Sequence, residues 1–162
     1  MRKEAQALKA ALKLAKDGVI AKALGLVVGL EADSLLTDEL RTLALVHSYC
    51  GQEQDAEQVW ARVCSRDDIG VGDCYMLGTT QLALGHASEA IESLRRELAA
   101  ADAKADSRYE SISAINLAYL LSVRDLKDEA LQVLQRLGDA DGTYVHGVGQ
   151  MTKRDLLARL QR

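Results

Sequence analysis

Between residues 4 and 16 the apolar residues Ala7, Leu8, Ala11, Leu12 and Ala15 recur at helical spacing, while Lys9, Lys13 and Lys16 form a polar stripe beside them. Asp17-Gly18 breaks this helix, a second is predicted over 19–30, and Asp33-Ser34 supplies turn chemistry after it. The same pattern then returns three times. Helices are predicted over 38–50 and 54–64 around Gly51-Gln52, with Ala56, Val59, Trp60 and Val63 facing inward. Helices over 73–84 and 88–103 flank Gly85, and helices over 111–123 and 127–137 flank Arg124-Asp125, where the other copies carry glycine. Residues 104–110 add about two turns if they stay helical, lengthening either the third hairpin or the first helix of the fourth.

The pairs Ala11/Ala23, Ala44/Ala56, Gly78/Ala90 and Ala118/Ala130 each set a small residue twelve positions before an alanine. Small side chains at a crossing let two helix backbones approach closely, so each pair reads as the contact inside one helical hairpin. Successive second alanines are 33, 34 and 40 residues apart, which makes four units, approximately 4–36, 37–70, 71–110 and 111–144 of a single domain spanning 1–162. An isolated hairpin cannot bury its apolar face, whereas stacked neighbours can.

After the fourth unit, Gly138-Asp139-Ala140-Asp141-Gly142 is loop punctuation, and 143–150, with Gly147 and Gly149, is the least regular stretch of the chain. Thr152 is placed to cap a last helix with Asp155 at its third position, so 151–162 is predicted to be a capping helix over the stack.

These residues resemble the tetratricopeptide repeat, whose signature runs W-x2-L-G-x2-Y and then A, F and P at fixed distances. The third unit is nearest, with Cys74-x2-Leu77-Gly78, Gly85, Ala90 and Leu94 in the corresponding places; the fourth offers Asn116-Leu117-Ala118 and Ala130, and the second Leu43-Ala44, Gly51, Ala56 and Trp60. The first unit, Ala10-Ala11, Gly18, Ala23 and Val27, matches least. No unit has the opening tryptophan or the closing proline. The resemblance covers roughly residues 4–144 and implies an all-α fold: a right-handed superhelical stack of about four hairpins plus a C-terminal capping helix. It also implies a concave groove, lined by the first helix of each pair, that binds a peptide or protein segment. Carried over by position, the groove comprises Leu8, Leu12, Arg41, Leu45, Tyr49, Tyr75, Thr79, Leu82, Ile115 and Tyr119. The lysines and asparagines with which some members clamp a terminal carboxylate have no counterpart at Leu8, Leu12, Arg41, Leu45, Tyr75 and Thr79. Tyr49, Tyr75, Tyr119 and Arg41 are the expected anchors for an apolar or amphipathic segment.

Composition narrows the function classes. With 48 % hydrophobic residues, 4 % aromatics, no Phe and no Pro, the apolar mass is aliphatic and suited to helices in close contact. A net charge of −4 supplies no general polyanion-binding field and argues against nucleic acid as a partner. Cys50, Cys64 and Cys74 are an odd set in a chain of this size and read as thiols of a reducing compartment. No secretory signal or bilayer-length apolar run is apparent, so cytoplasmic residence without a membrane is the expectation.

No catalytic, cofactor or metal site is predicted. His47 and Cys50 share a helix face, but the spacing of Cys64 and Cys74 matches no close-spaced zinc knuckle, and ordinary packing is the better reading. Gly142 to Gly149 gathers glycines, Tyr144 and His146 without the strand and helix that a phosphate-cradling loop requires. The expected role is therefore a non-enzymatic protein-interaction adaptor. A cytoplasmic secretion-type chaperone is the alternative within binding proteins; a helical-repeat enzyme or nucleic-acid binder is the alternative outside them. Self-association through a terminal repeat is a further expectation, because the first unit has no helix before it to cover its apolar end.

Overall fold

A computed structural model describes residues 2–161 and is mostly helical, with nine α-helices and one small two-stranded sheet among the described residues. The chain forms two compact units, one ending at Asp73 and the other starting at Cys74.

In the first unit α1 (Lys3–Lys16) pairs with α2 (Ile20–Val27), α3 (Thr37–Tyr49) pairs with α4 (Glu53–Cys64), and α1 packs on α3. A 3-10 turn over Ala32–Ser34 joins the two pairs. Ala11 and Ala23 are fully buried, as are Ala44 and Ala56, so the small residues sit in the core where close helix approach requires them. Leu8, Leu40, Val46, Val59, Trp60 and Val63 fill the space around them.

The second unit follows α5 (Asp73–Ala83), whose first residue closes the first unit, with α6 (Ala87–Lys104), α7 (Glu110–Val123) and α8 (Lys127–Leu134). α7 is the central rod and packs on both α6 and α8. Strands β1 (Gly142–Val145) and β2 (Gly149–Thr152) pair antiparallel, with Gly142 opposite Thr152 and Val145 opposite Gly149, and α9 (Lys153–Leu160) ends the described chain. Val145, Met151, Leu156 and Leu160 all join the core built by Leu94, Leu117, Leu121 and Leu134. A Cβ added at Gly78 would lie 3.0 Å from Leu94 Cγ and 3.4 Å from the Ala90 carbonyl oxygen, which shows how closely α5 and α6 approach. The Glu97 carboxylate, fully buried on α6, accepts from the Tyr75 backbone N–H at 3.2 Å and so caps the first turn of α5.

The four hairpin turns share one geometry. Gly18, Gly51, Gly85 and Asp125 all take left-handed backbone, with φ of 77°, 72°, 79° and 59°. In each, the following residue donates its N–H to a carbonyl five positions back: Val19 to Leu14, Gln52 to His47, His86 to Gln81 and Leu126 to Leu121, at 2.8 to 2.9 Å. That 6→1 bond satisfies carbonyls left over at the helix end, and the left-handed residue turns the chain back. The next helix then begins from nearly identical backbone at Val19, Gln52, His86 and Leu126, with ψ of 63°, 66°, 63° and 60°.

Several expectations are corrected. The fold is not all-α, because 142–152 forms a hairpin where an irregular connection was expected. For the same reason the final helix starts at Lys153 rather than at residue 151. Its predicted cap is present: Thr152 Oγ1 accepts from the Asp155 N–H at 3.2 Å, and Asp155 Oδ2 accepts from the Thr152 N–H at 2.9 Å. Residues 104–110 do not extend a helix; α6 stops at Lys104, Ala105 turns left-handed at φ 49°, and α7 begins at Glu110. α2 ends at Val27 rather than Leu30, since Val28 is extended and Gly29 is left-handed at φ 81°.

Candidate functional site

Two parallel rows of side chains meet along the seam between α1 and α3. Ala5, Lys9, Leu12 and Lys16 follow one face of α1 at helical spacing, and Asp38, Thr42, Leu45 and Tyr49 follow one face of α3, each 33 residues further on. The helix starts lie together, because Ala5, Leu8, Lys9 and Leu12 share a cavity with Asp38, Glu39 and Thr42. The helix ends lie together too: the Lys16 ammonium stands 5.6 Å from the centre of the Tyr49 ring. The cavity measures about 260 Å³ and its floor is the aliphatic part of Ala5, Leu8 and Leu12. Leu12, Thr42 and Leu45 are half-buried, while Tyr49 is 51 % exposed.

The seam's charges are uneven. Asp38 is paired with Arg41 Nη1 at 2.6 Å, and Glu39, buried at the start of α3, accepts from the Leu36 N–H at 2.9 Å and from Arg2 at 3.1 Å. Lys9, Lys13 and Lys16 are exposed, and no carboxylate among the described residues forms an ion pair with them. Of this polar stripe, Lys9 lines the cavity with Asp38 and Glu39, and Lys16 stands over the Tyr49 ring.

The remaining sequence-predicted groove residues have other tasks. Leu8 and Ile115 are core residues, 1 % and 0 % exposed. Arg41 is a strut inside the first unit: its guanidinium donates to both Asp73 carboxylate oxygens, to Asp38 and to the Asp68 carbonyl. The Asp73 bonds above all hold its pKa well above the ordinary arginine value. Asp73 Oδ2 also accepts from the Gly70 N–H at 2.7 Å, so the pair ties the 65–72 loop back to α3.

In the second unit Tyr75 packs on the core and its ring lies 5.5 Å from that of Tyr109. Burial first, and Tyr109 second, push the Tyr75 phenol above its usual range. Thr79 is half-buried and its hydroxyl donates back to the carbonyls of Tyr75 and Met76, while Leu82 packs against the core. Tyr119 also packs against the core and lies 5.5 Å beneath the Arg159 guanidinium, because β1 and α9 both pack on α7. Of the four expected anchors, Tyr49 is the one that is exposed; Arg41, Tyr75 and Tyr119 are half-buried. Sequence reasoning passed over Ala5, Lys9, Lys16 and Thr42; the signal was the shared 33-residue offset, which places them beside Leu12, Leu45 and Tyr49.

A larger opening of about 510 Å³ lies between α6 and α8, floored by Leu98, Leu117 and Val133. Its arginines are already committed, Arg95 to Glu129 and Arg136 to Asp102 and Glu110, so it presents no free charge to a ligand. Among the described residues no group of three or more His, Cys, Asp or Glu could hold a metal ion, and no helix is long and apolar enough to cross a membrane. His47 Nδ1 lies 2.8 Å from Gln52 Oε1, and none of Cys50, Cys64 and Cys74 is in a disulfide. Burial raises the Cys50 thiol above its usual pKa, which disfavours the thiolate a nucleophile or metal ligand would need.

No family model matches the chain, and neither a curated protein nor a solved structure is significantly similar to it.

Proposed function

We propose that the protein is a non-enzymatic interaction module of the tetratricopeptide kind, in which the α1–α3 seam receives a segment of a partner protein. The single observation that carries this reading is the pair of rows 5-9-12-16 and 38-42-45-49, which combine an aliphatic cavity, two half-buried leucines and an exposed tyrosine on one rigid face. Four hairpin turns of one geometry, each followed by a buried alanine five residues later, support a repeated helical-hairpin architecture. A preformed wall of this kind binds with little reorganisation, since its helices are ordered before the partner arrives. Membership of the tetratricopeptide family, the superhelical stack and the adaptor role all belong to this proposal.

Selection from a library of random peptides displayed on phage tests it. Peptides enriched by the protein should be lost when Leu12 and Leu45 are both replaced by glutamate, with helicity by circular dichroism unchanged. Enriched peptides that bind this double variant as well as they bind the parent would remove the seam from the account.

A further inference from the structure

Resting on that reading of the seam, we propose that the partner segment inserts a tryptophan side chain into the α1–α3 cavity, with the indole N–H donated to Glu39 Oε1. Glu39 lines this cavity and is 6 % exposed. Its Oε2 accepts from the Leu36 N–H at 2.9 Å and from Arg2 at 3.1 Å, whereas Oε1 is enclosed and has no hydrogen-bond partner among the described residues. Leaving a buried acceptor without a donor costs the protein the desolvation of that oxygen, so a ligand that supplies the donor recovers it. Enclosure also keeps bulk water from Oε1, and the donor must then arrive on an apolar body that enters through the cavity.

The rest of the cavity sets what that body is. Ala5, Leu8 and Leu12 make its floor aliphatic, and about 260 Å³ lies just below the range of sites for whole small molecules, so the space suits one large side chain. The charges around it balance: the cations Arg2, Lys9 and Arg41 stand against the carboxylates Glu4, Asp38 and Glu39, with Asp38 tied to Arg41 and both glutamates to Arg2. A neutral occupant is therefore selected over a charged one. A leucine or phenylalanine would fill the space and leave Oε1 unpaired. A tyrosine hydroxyl would donate but set lone pairs of its own beside a carboxylate, whereas the indole N–H donates and accepts nothing. Lys9, exposed on the cavity wall, is the flexible side chain that gives way as the ring enters, and its ammonium then lies over the indole face. The flanking residues of the segment cover Leu12, Leu45 and the exposed part of Tyr49.

The test titrates the full chain with two neutral rings of one size, indole and benzofuran, the second carrying an oxygen in place of the N–H, and follows ¹H–¹⁵N NMR shifts. Both probes are expected to move the signals of Ala5, Leu12, Glu39 and Thr42. Indole should bind about tenfold more tightly than benzofuran, the reverse of the order that burial of the more apolar ring alone would give. In Glu39→Gln the amide oxygen keeps the bond from the Leu36 N–H while the NH₂ group takes the place of Oε1, a donor where an acceptor stood, so the preference for indole should disappear or reverse. Ala5→Leu, which fills the cavity, should weaken both rings alike, and circular dichroism should show unchanged helicity in both variants. Equal binding of the two rings to the parent, a preference for indole that survives in Glu39→Gln, or no shift at the cavity would each overturn the inference. If display peptides depend on Leu12 and Leu45 while indole and benzofuran bind alike, the tryptophan chemistry fails and the seam stands.

Discussion

Asp125 closes its hairpin in the same left-handed backbone state as Gly85, φ 59° against 79°, and the residue after each donates to a carbonyl five positions earlier at 2.9 Å. An aspartate there carries the steric cost of its Cβ, which glycine does not. Asp125→Gly is expected to stabilise the protein by about 0.5–1 kcal/mol, and Asp125→Val to destabilise it by at least as much. Urea unfolding checks both; a destabilised glycine variant would contradict the shared-turn geometry.

Ala90 is fully buried, and its carbonyl oxygen lies 3.4 Å from the position of a Cβ at Gly78. Ala90→Leu is expected to cost about 1–3 kcal/mol by overpacking this crossing. The same change at exposed Ala99, on the same helix, should be close to neutral. Thermal unfolding of the two variants separates a packing effect from a change in helix propensity.

Arg41 joins α3 to the loop that ends at Asp73, so Arg41→Met is expected to lower stability by about 1.5–3 kcal/mol through the lost charged hydrogen bonds. Probe affinity per folded molecule should be unchanged, because the guanidinium is occupied before any partner arrives. A variant of normal stability that no longer binds would return Arg41 to the role its sequence position suggested.

Asp102 and Asp155 are held below the usual carboxylate range, the first by hydrogen bonds from Arg136 and the second by those from Thr152. A depressed folded-state pKa gives stability that is fully present above the unfolded pKa and is lost as pH falls through the folded one. Unfolding midpoints should therefore be flat near neutrality and fall below about pH 4, the ordinary aspartate value. Asp102→Asn and Asp155→Asn should each flatten that acid limb, and an unchanged limb in both would contradict the assignment.

What could be read from the letters followed from how local its cause was. The helices flanking Gly18, Gly51 and Gly85 were legible because apolar periodicity and a turn glycine agree over a dozen residues. The buried partners Ala11/Ala23 and Ala44/Ala56 were legible because their separation is set by one hairpin. The sheet was not: each strand has four residues, and Val145 and Met151 are the buried ones, too short an alternation to stand out among glycines. The end of α6 at Ala105 was hidden as well, since alanine gives no hint of a left-handed turn.

For the seam, Leu12, Leu45 and Tyr49 were visible by position, whereas the commitments of Arg41 to Asp73 and of Tyr119 to Arg159 arise from residues distant in sequence. Lys9 and Lys16 looked like a solvated stripe because their neighbours on α3 cannot be seen from α1 alone.

NMR shift mapping with the most strongly enriched display peptide asks whether the α1–α3 seam is the surface that a partner segment occupies. The largest shifts are predicted at Ala5, Lys9, Leu12, Thr42, Leu45 and Tyr49. Shifts concentrated instead on α2 and α4, or in the opening between α6 and α8, would contradict it.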